Sequence, residues 1–334
     1  MGDVVMQSSF VRWLRQINPQ AKISFLTSKE FGSLVTELEE VDEVILYERM
    51  SGLKDIKQII QLSKRLTDVD FVFDLHANTR TKLLSLFMLA PFLKVDKRST
   101  LRKILVSTKK DFLVATSTQH FRTIEDFSFL SGLPIEKEDL YRTQGVLSKT
   151  TLTKIRSYKS RYEKSIVISP VASFESKRWP MEKYQELINL ISSDKSMSEF
   201  KIKIIAGPGD AYCEDLGKGN NQVENLQGKT SLKETIEEIS KAMICITNDT
   251  GSLHIAESFG VPTAAIFGPT SPSFGFKPHL KESKAFWSGI SCSPCSTTGS
   301  KNCHRDQLYC MLEIEPYNVY SYIREILSSD LYTL

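Results

Sequence analysis

The sequence predicts an α/β protein built from two doubly wound, Rossmann-like domains, and three observations predict it. Short β-branched segments alternate with stretches whose apolar residues recur at spacings of three and four, as in a parallel sheet covered by helices on both faces. The alternation runs twice, with a polar stretch between the runs. At 334 residues and 41% hydrophobic content the chain can fill one large or two medium cores, which excludes disorder as its main state.

The elements follow in order. A helical pattern over 4–17 is followed by a strand at 22–26, a helix at 30–38, a short strand at 43–46 and a helix at 54–66. A strand VDFVFDL at 69–75 then leads into a helix from Asn78. Residues 145–164 are rich in hydroxyl and basic side chains and read as an interdomain connection. The pattern resumes with a strand at 165–169, a helix at 181–191, a strand at 202–206 and a helix at 210–216. A helix at 232–241, a strand at 243–247, a helix at 251–259 and a strand at 263–267 complete it. Pro180 precedes its helix and Pro262 separates helix from strand, positions where a missing amide costs little. The expected divisions are 1–150, 151–315 and a C-terminal helix in 316–334 that crosses back to the first domain. The first helix follows Met1-Gly2-Asp3 at once, whereas a doubly wound domain ordinarily opens with a strand. Either a strand lies upstream of this start, or the sheet begins one strand short.

Composition narrows the classes. A formal charge of +3 is too small to argue for nucleic acid. Lys94, Lys97, Arg98, Arg102, Lys103, Lys109 and Lys110 nevertheless crowd one segment that could face anionic lipid, phosphorylated glycan or RNA, or be a solvated face. No apolar run reaches the roughly 18 residues of a membrane span. The N-terminus lacks a secretory pattern, so the cytoplasm is the expected compartment.

Doubly wound domains place ligands beyond the carboxyl ends of their strands, so two of them predict a central cleft. The strongest local signal is ICITNDTGSLHIAESFGVP at 244–262, a strand leading into a helix that starts at a glycine. Free amides and the helix field make such a start an anion site. Thr250 can donate a hydroxyl, Gly251 admits a phosphate, Asp249 can accept from sugar hydroxyls, and His254 lies one turn on. The bland reading is capping by Asp249 or Thr250 with His254 in the core. Gly268-Pro269-Thr270 adds a second loop at the same edge. SPVASFESKRWP at 169–180 offers Ser173 and Lys177 as phosphate partners, or a solvated basic turn. Asp3 stands at a helix start, as cap or as base. In DLHANTR at 74–80, His76, Asn78 and Arg80 are acceptor-binding candidates, with helix capping by Asn78 an equal reading. AGPGD at 206–210 places Asp210 where a ribose hydroxyl could bind. Dinucleotide, Walker, nucleophile-elbow and HExxH signatures are absent from the sequence.

MGDVVMQSSFVRWLRQINPQAKI, DLHANTR, KRWPMEKY, AGPGD, NLQGKTSL and above all NDTGSLHIAESFGVPTAAIFGPTSP together resemble the glycosyltransferase family 9 heptosyltransferases over nearly the whole chain. The resemblance implies a glycosyltransferase B-type fold, with the acceptor on the N-terminal domain and ADP-heptose on the C-terminal one. It implies inverting, metal-independent transfer to a lipid-linked inner-core lipopolysaccharide acceptor. Asp3 matches the proposed general base, Ser173 and Lys177 the donor-phosphate positions, Thr250, Gly251 and His254 the diphosphate loop, Asp249 the donor-sugar position and Asp210 the ribose position, with Glu214 a substitute. Ala172 departs from relatives that carry a second hydroxyl there. A monomer, peripheral on the cytoplasmic face of the inner membrane and binding no nucleic acid, is expected. A related transferase using another nucleotide sugar, or a non-catalytic nucleotide-sugar-binding protein, are the alternatives.

Cys292, Cys295, Cys303 and Cys310 form a late cluster that could hold a structural zinc or an iron–sulfur group, or stay reduced. No cofactor is expected to be required for catalysis.

Overall fold

The structure, a computed structural model, describes residues 2–36, 38–110, 124, 127 and 164–328. The chain divides into two compact units: among the described residues the first holds 3–99, 124 and 127, and the second holds Gly2, 100–110 and 164–328. Residues 100–110 thus group with the second unit, although the sequence reading assigns them to the first domain.

In the first unit, helix α1 (Gly2–Ile17) is buried on all sides from Val5 to Trp13, and Val5, Met6, Phe10, Val11 and Trp13 are its buried apolar residues. Phe10 meets Trp13 at 5.4 Å and Phe73 at 5.2 Å between ring centroids, and burying each aromatic contributes roughly 2–3 kcal/mol. Strand β1 (Ser24–Ser28) pairs in parallel with β2 (Glu43–Tyr47), in a register that sets Ser24 beside Glu43. After α3 (Leu53–Arg65), β3 (Val72–Asp74) pairs in parallel with β4 (Phe92–Lys94) across α4 (Thr79–Ser85). Among the described residues these strands form two separate pairs, not one continuous sheet. The helix expected over 30–38 is a short 3₁₀ turn at Lys29–Phe31 followed by α2 (Gly32–Val35), and the Leu38 amide bonds the Val35 carbonyl at 3.0 Å, which tightens the last turn.

The second unit opens, after α5 (Ser99–Thr108), with β5 (Ser165–Ser169) at the centre of a six-stranded sheet. Its partners are β6 (Lys201–Ile204), β7 (Val223–Asn225), β8 (Ile244–Asn248), β9 (Thr263–Phe267) and β10 (Lys284–Trp287), in the order β10-β9-β8-β5-β6-β7, all parallel. Strands β5, β8 and β9 are buried throughout, as their near-continuous apolar sequences require. Helices α6 (Met181–Ser193), α7 (Leu232–Lys241), α8 (Gly251–Ser258), α9 (Tyr309–Leu312) and α10 (Pro316–Ser328) complete the unit. Val319, Tyr322, Ile323 and Ile326 of α10 lie in its core with Ile188 and Ile191 of α6, so the described part of the C-terminal helix packs within this unit. The helix expected at 210–216 is a single 3₁₀ turn, Ala211–Cys213, because the Asp210 carboxylate accepts from the Gly207 amide at 3.0 Å and Gly217, at φ +72°, turns the chain away.

The chain leaves β5 toward β6 and β7, then returns to the other side of β5 as β8. That reversal sets the switch point of the sheet between the carboxyl ends of β5 and β8.

Candidate functional site

At that switch point two loops are held together by one side chain. Asn248, fully buried at the end of β8, accepts at Oδ1 from the Trp179 amide and from the Tyr184 hydroxyl, each at 3.1 Å. Its Nδ2 donates to the carbonyls of Pro170 at 2.8 Å and Val171 at 3.3 Å. The 170–180 loop is thereby locked onto the strand whose next residue is Asp249. The Asp249 carboxylate receives Lys177 Nζ at 2.7 Å and the Thr270 hydroxyl at 2.8 Å, and this ion pair is largely out of water. An ammonium has three donors, so Lys177 can keep Asp249 and still reach an anion.

Thr250 is the N-cap of α8, with extended backbone at φ −144°, but its side chain does not cap the helix. Its hydroxyl lies 3.2 Å from that of Thr247 instead, so the first-turn amides of α8 receive no cap from it. Gly251 begins the helix, and Ser252 is tied to Ser169 of β5, hydroxyl to hydroxyl at 2.8 Å. His254 is buried on the next turn with its ring 6.2 Å from that of Phe276. Capping by Asp249 or Thr250 is therefore not what these side chains do, whereas the buried histidine agrees with the bland reading of His254.

Asp210 and Tyr212 leave β6, the strand on the other side of β5. Arg178 donates to the Ala172 carbonyl at 3.1 Å and lies 4.0 Å over the Tyr212 ring, a flat cationic stack beside the Asp210 turn. Burial, with Asp210 adding to it, raises the Tyr212 phenol well above its usual range, so it stays a neutral hydroxyl. Ser173 is exposed on the loop after β5, and Glu214 is exposed beyond the Asp210 turn.

The remaining candidates lie in the first unit. Asp3 is exposed in the first turn of α1. The atoms packed around His76 lower its pKa from 6.5; Asp3 and Asp74 oppose that shift, while Lys97 and Arg49 add to it, leaving the imidazole mainly neutral at pH 7. Asp3 and His76 are thus electrostatic neighbours. Asp74 accepts from the amides of His76 at 3.1 Å and Ala77 at 2.7 Å, and Ala77 sits at φ +45°, so the turn is wound tightly around that carboxylate. Asn78 caps α4, accepting from the amides of Arg80 at 2.8 Å and Thr81 at 3.0 Å within a full capping box. Arg80 is paired with Asp55 at 2.9 Å. Both side chains have structural work as they stand.

Cys292, Cys295, Cys303 and Cys310 line one small cavity with His304. Burial and the neighbouring thiols push Cys310 up to about 12 and raise Cys295. Among the described residues no three His, Cys, Asp or Glu side chains converge closely enough to hold a metal ion.

Residues 59–304 match the profile of glycosyltransferase family 9 (heptosyltransferase). The chain belongs to that family. It is 28% identical over 172 residues to lipooligosaccharide heptosyltransferase 2 of Campylobacter jejuni, a match covering 49% of this chain and 52% of the relative, so the chain spans about half the length of that protein. Identity to lipooligosaccharide heptosyltransferase 2 of Haemophilus influenzae is 25% over 298 residues, covering 82% of each chain. Among solved structures, the E. coli ADP-heptose LPS heptosyltransferase II superposes with a TM-score of 0.68 at 20% identity, covering 98% of this chain and 95% of the other. That likeness extends the fold of the family to this chain, as the sequence predicted.

Sequence reasoning missed Asn248, Tyr184 and the Ser169–Ser252 pair. The signal for Asn248 was present: an amide side chain at the last position of a mostly apolar strand must find partners or it will not be buried.

Proposed function

We propose that this member of family 9 transfers heptose from ADP-heptose to a lipid-linked inner-core lipopolysaccharide acceptor by direct displacement, with inversion at the anomeric carbon. The observation that carries the donor half is the start of α8 at the sheet's switch point, where first-turn amides without a side-chain cap lie beside the buried Lys177–Asp249 pair. That combination suits a diphosphate: the amides and Lys177 stabilise the departing ADP, whose low proton affinity makes a general acid unnecessary. The Arg178–Tyr212 stack and Asp210 suit an adenosine, with Asp210 toward the ribose, and Ser173 adds a hydroxyl to the phosphates. Asp249 serves the donor sugar and His254 lines the diphosphate loop.

Asp3 acts as general base, accepting the acceptor hydroxyl's proton as that oxygen attacks through an oxocarbenium-like state. Its support is its first-turn position and its charge coupling to His76, which, mainly neutral, can orient an acceptor hydroxyl. Asn78 and Arg80 shape the same acceptor turn. The displacement needs no metal in this scheme.

Peripheral association with the cytoplasmic face of the inner membrane goes with this acceptor, and the chain acts as a monomer in this reading. The exposed Lys94, Lys103 and Lys110 support membrane association. Arg102 stacks 4.6 Å over Phe276 and Lys109 bonds the Pro294 carbonyl, so those two charges are committed within the protein. No described helix is long and apolar enough to cross a membrane.

The test is a panel of ADP-heptose against UDP- and GDP-sugars with Kdo-lipid A and heptosylated core acceptors, read by mass spectrometry. A product gaining one heptose only from ADP-heptose is expected. Transfer from another donor would replace the donor assignment, and tight ADP binding with no product from any pair would make the protein a nucleotide-sugar binder.

A further inference from the structure

Lys177 is held at its amine by Asp249, and its aliphatic stem is held by a segment far away in sequence. Gly299, buried in the cysteine-bearing loop, adopts φ +82°, and a Cβ built there would fall inside contact distance of Lys177 Cγ and Cδ. The stem therefore occupies the volume a side chain at 299 would fill. Two further bonds fix that glycine: its amide donates to Ser296 Oγ at 2.8 Å and its carbonyl accepts from the Ser176 hydroxyl; two more anchor its loop, the amides of Cys295 and Ser296 donating to the Pro269 carbonyl at 3.0 and 3.1 Å. Pro269 adjoins Thr270, which binds Asp249. The contacts close a ring that runs from Lys177 to Asp249 and Thr270, through Pro269 to the cysteine loop, and from Gly299 back to Lys177.

We propose that Gly299 is a positioning residue for Lys177, and that the 288–308 loop is the wall that sets the ammonium beside the start of α8. The inference rests on the diphosphate reading for its functional consequence but not for its geometry. Without a fixed stem, a lysine has four rotatable bonds and would spread its charge over solvent. With it, the ammonium is delivered to one place.

Two measurements on the full chain test this. Competitive labelling of amines with a limiting acylating reagent, read by mass spectrometry, reports how well each lysine is shielded. In Gly299→Ala the methyl displaces the stem, and Lys177 labelling is expected to rise about tenfold relative to the other lysines, which keep their rates. Ser176→Ala removes one tie without adding a methyl and should raise it by a smaller factor, which keeps the test alive if Gly299→Ala folds poorly. Unchanged Lys177 labelling in the folded variants overturns the proposal. The second measurement is ADP affinity by calorimetry for Gly299→Ala, Lys177→Ala and the double variant. Each single change is expected to weaken binding about tenfold, with the double no weaker than Lys177→Ala alone within about twofold, because the clash disappears with the stem. Strain at φ +82° acting by itself would weaken binding by the same factor in both backgrounds, and that additive result also refutes the idea. Altered labelling in a protein whose wild type binds no ADP would instead defeat the diphosphate reading and leave the positioning role standing.

Discussion

Replacing Asn248 with alanine removes the side chain on which both loops at the sheet's switch point depend. In the wild type its amide satisfies four groups: the Trp179 amide, the Tyr184 hydroxyl and the Pro170 and Val171 carbonyls. Trp179 and Tyr184 are fully buried, so water cannot take over without opening the loop. A buried polar group left unpaired costs about 1–3 kcal/mol, and four such groups at the low end, partly relieved by the space the amide vacates, give about 3–4 kcal/mol for Asn248→Ala. Tyr184→Phe removes one donor while Oδ1 keeps its bond to Trp179, so it should cost about 1 kcal/mol. Because the two residues share a bond, the double variant should be more stable than the summed single losses imply by about 1 kcal/mol. Urea unfolding followed by circular dichroism and by tryptophan fluorescence measures this, with the two signals compared because a two-unit chain need not unfold in one step. If Asn248→Ala costs no more than Tyr184→Phe, the bridging role assigned to Asn248 is wrong.

Asp3→Asn should lower turnover about 10²–10⁴-fold while leaving ADP affinity within about twofold, as calorimetry and product formation measured side by side will show; equal turnover removes the base assignment. Glu257 is buried in α8, where desolvation raises its pKa, but the ring and amide of His279 and the Ser283 hydroxyl outweigh this and hold it below 4.5. A carboxylate depressed in the folded state contributes stability that is complete above about 4.5 and is lost as the pH falls through its folded value, so melting temperature should drop on acidification below about pH 5. Glu257→Gln should flatten that part of the profile and cost about 2–4 kcal/mol at neutral pH, and an unchanged profile would contradict the assignment. Cys213 and Cys310 are each pushed up to about 12 by burial, so in the native protein at pH 8 both should resist iodoacetamide while unfolding exposes them, a contrast read by peptide mass mapping.

Much of the candidate site at the sheet's switch point was legible before folding. A glycine after a strand end, with a threonine ahead of it, announces a helix start open to an anion, and Lys177 and Asp249 were both named from their loops. What the spacing could not give was their mutual pairing, since 72 residues of chain separate them and only the sheet order brings the exits of β5 and β8 together. Asn78 shows the reverse. Two readings stood level in the sequence, and the capping box gives its side chain to the helix. Arg80 likewise belongs to Asp55, a partner on α3 that no local pattern indicates. The turn at 210–216 read as a helix because its apolar spacing was helical, and a side-chain bond to the preceding glycine amide outcompeted that weak propensity.

The alternation of apolar periods, the continuous apolar strands and the glycine-led helix start are local properties, fixed by backbone sterics and by which faces must leave water. They determined the α/β class and the family. Strand order, the burial of Asn248 as a bridge, and the closure of Lys177 between Asp249 and Gly299 depend on contacts between residues far apart in the chain. Only the tertiary structure decided those, because a long-range contact forms when the whole sheet has paid the entropy of ordering, and nothing in the spacing of neighbours encodes which distant group will be there.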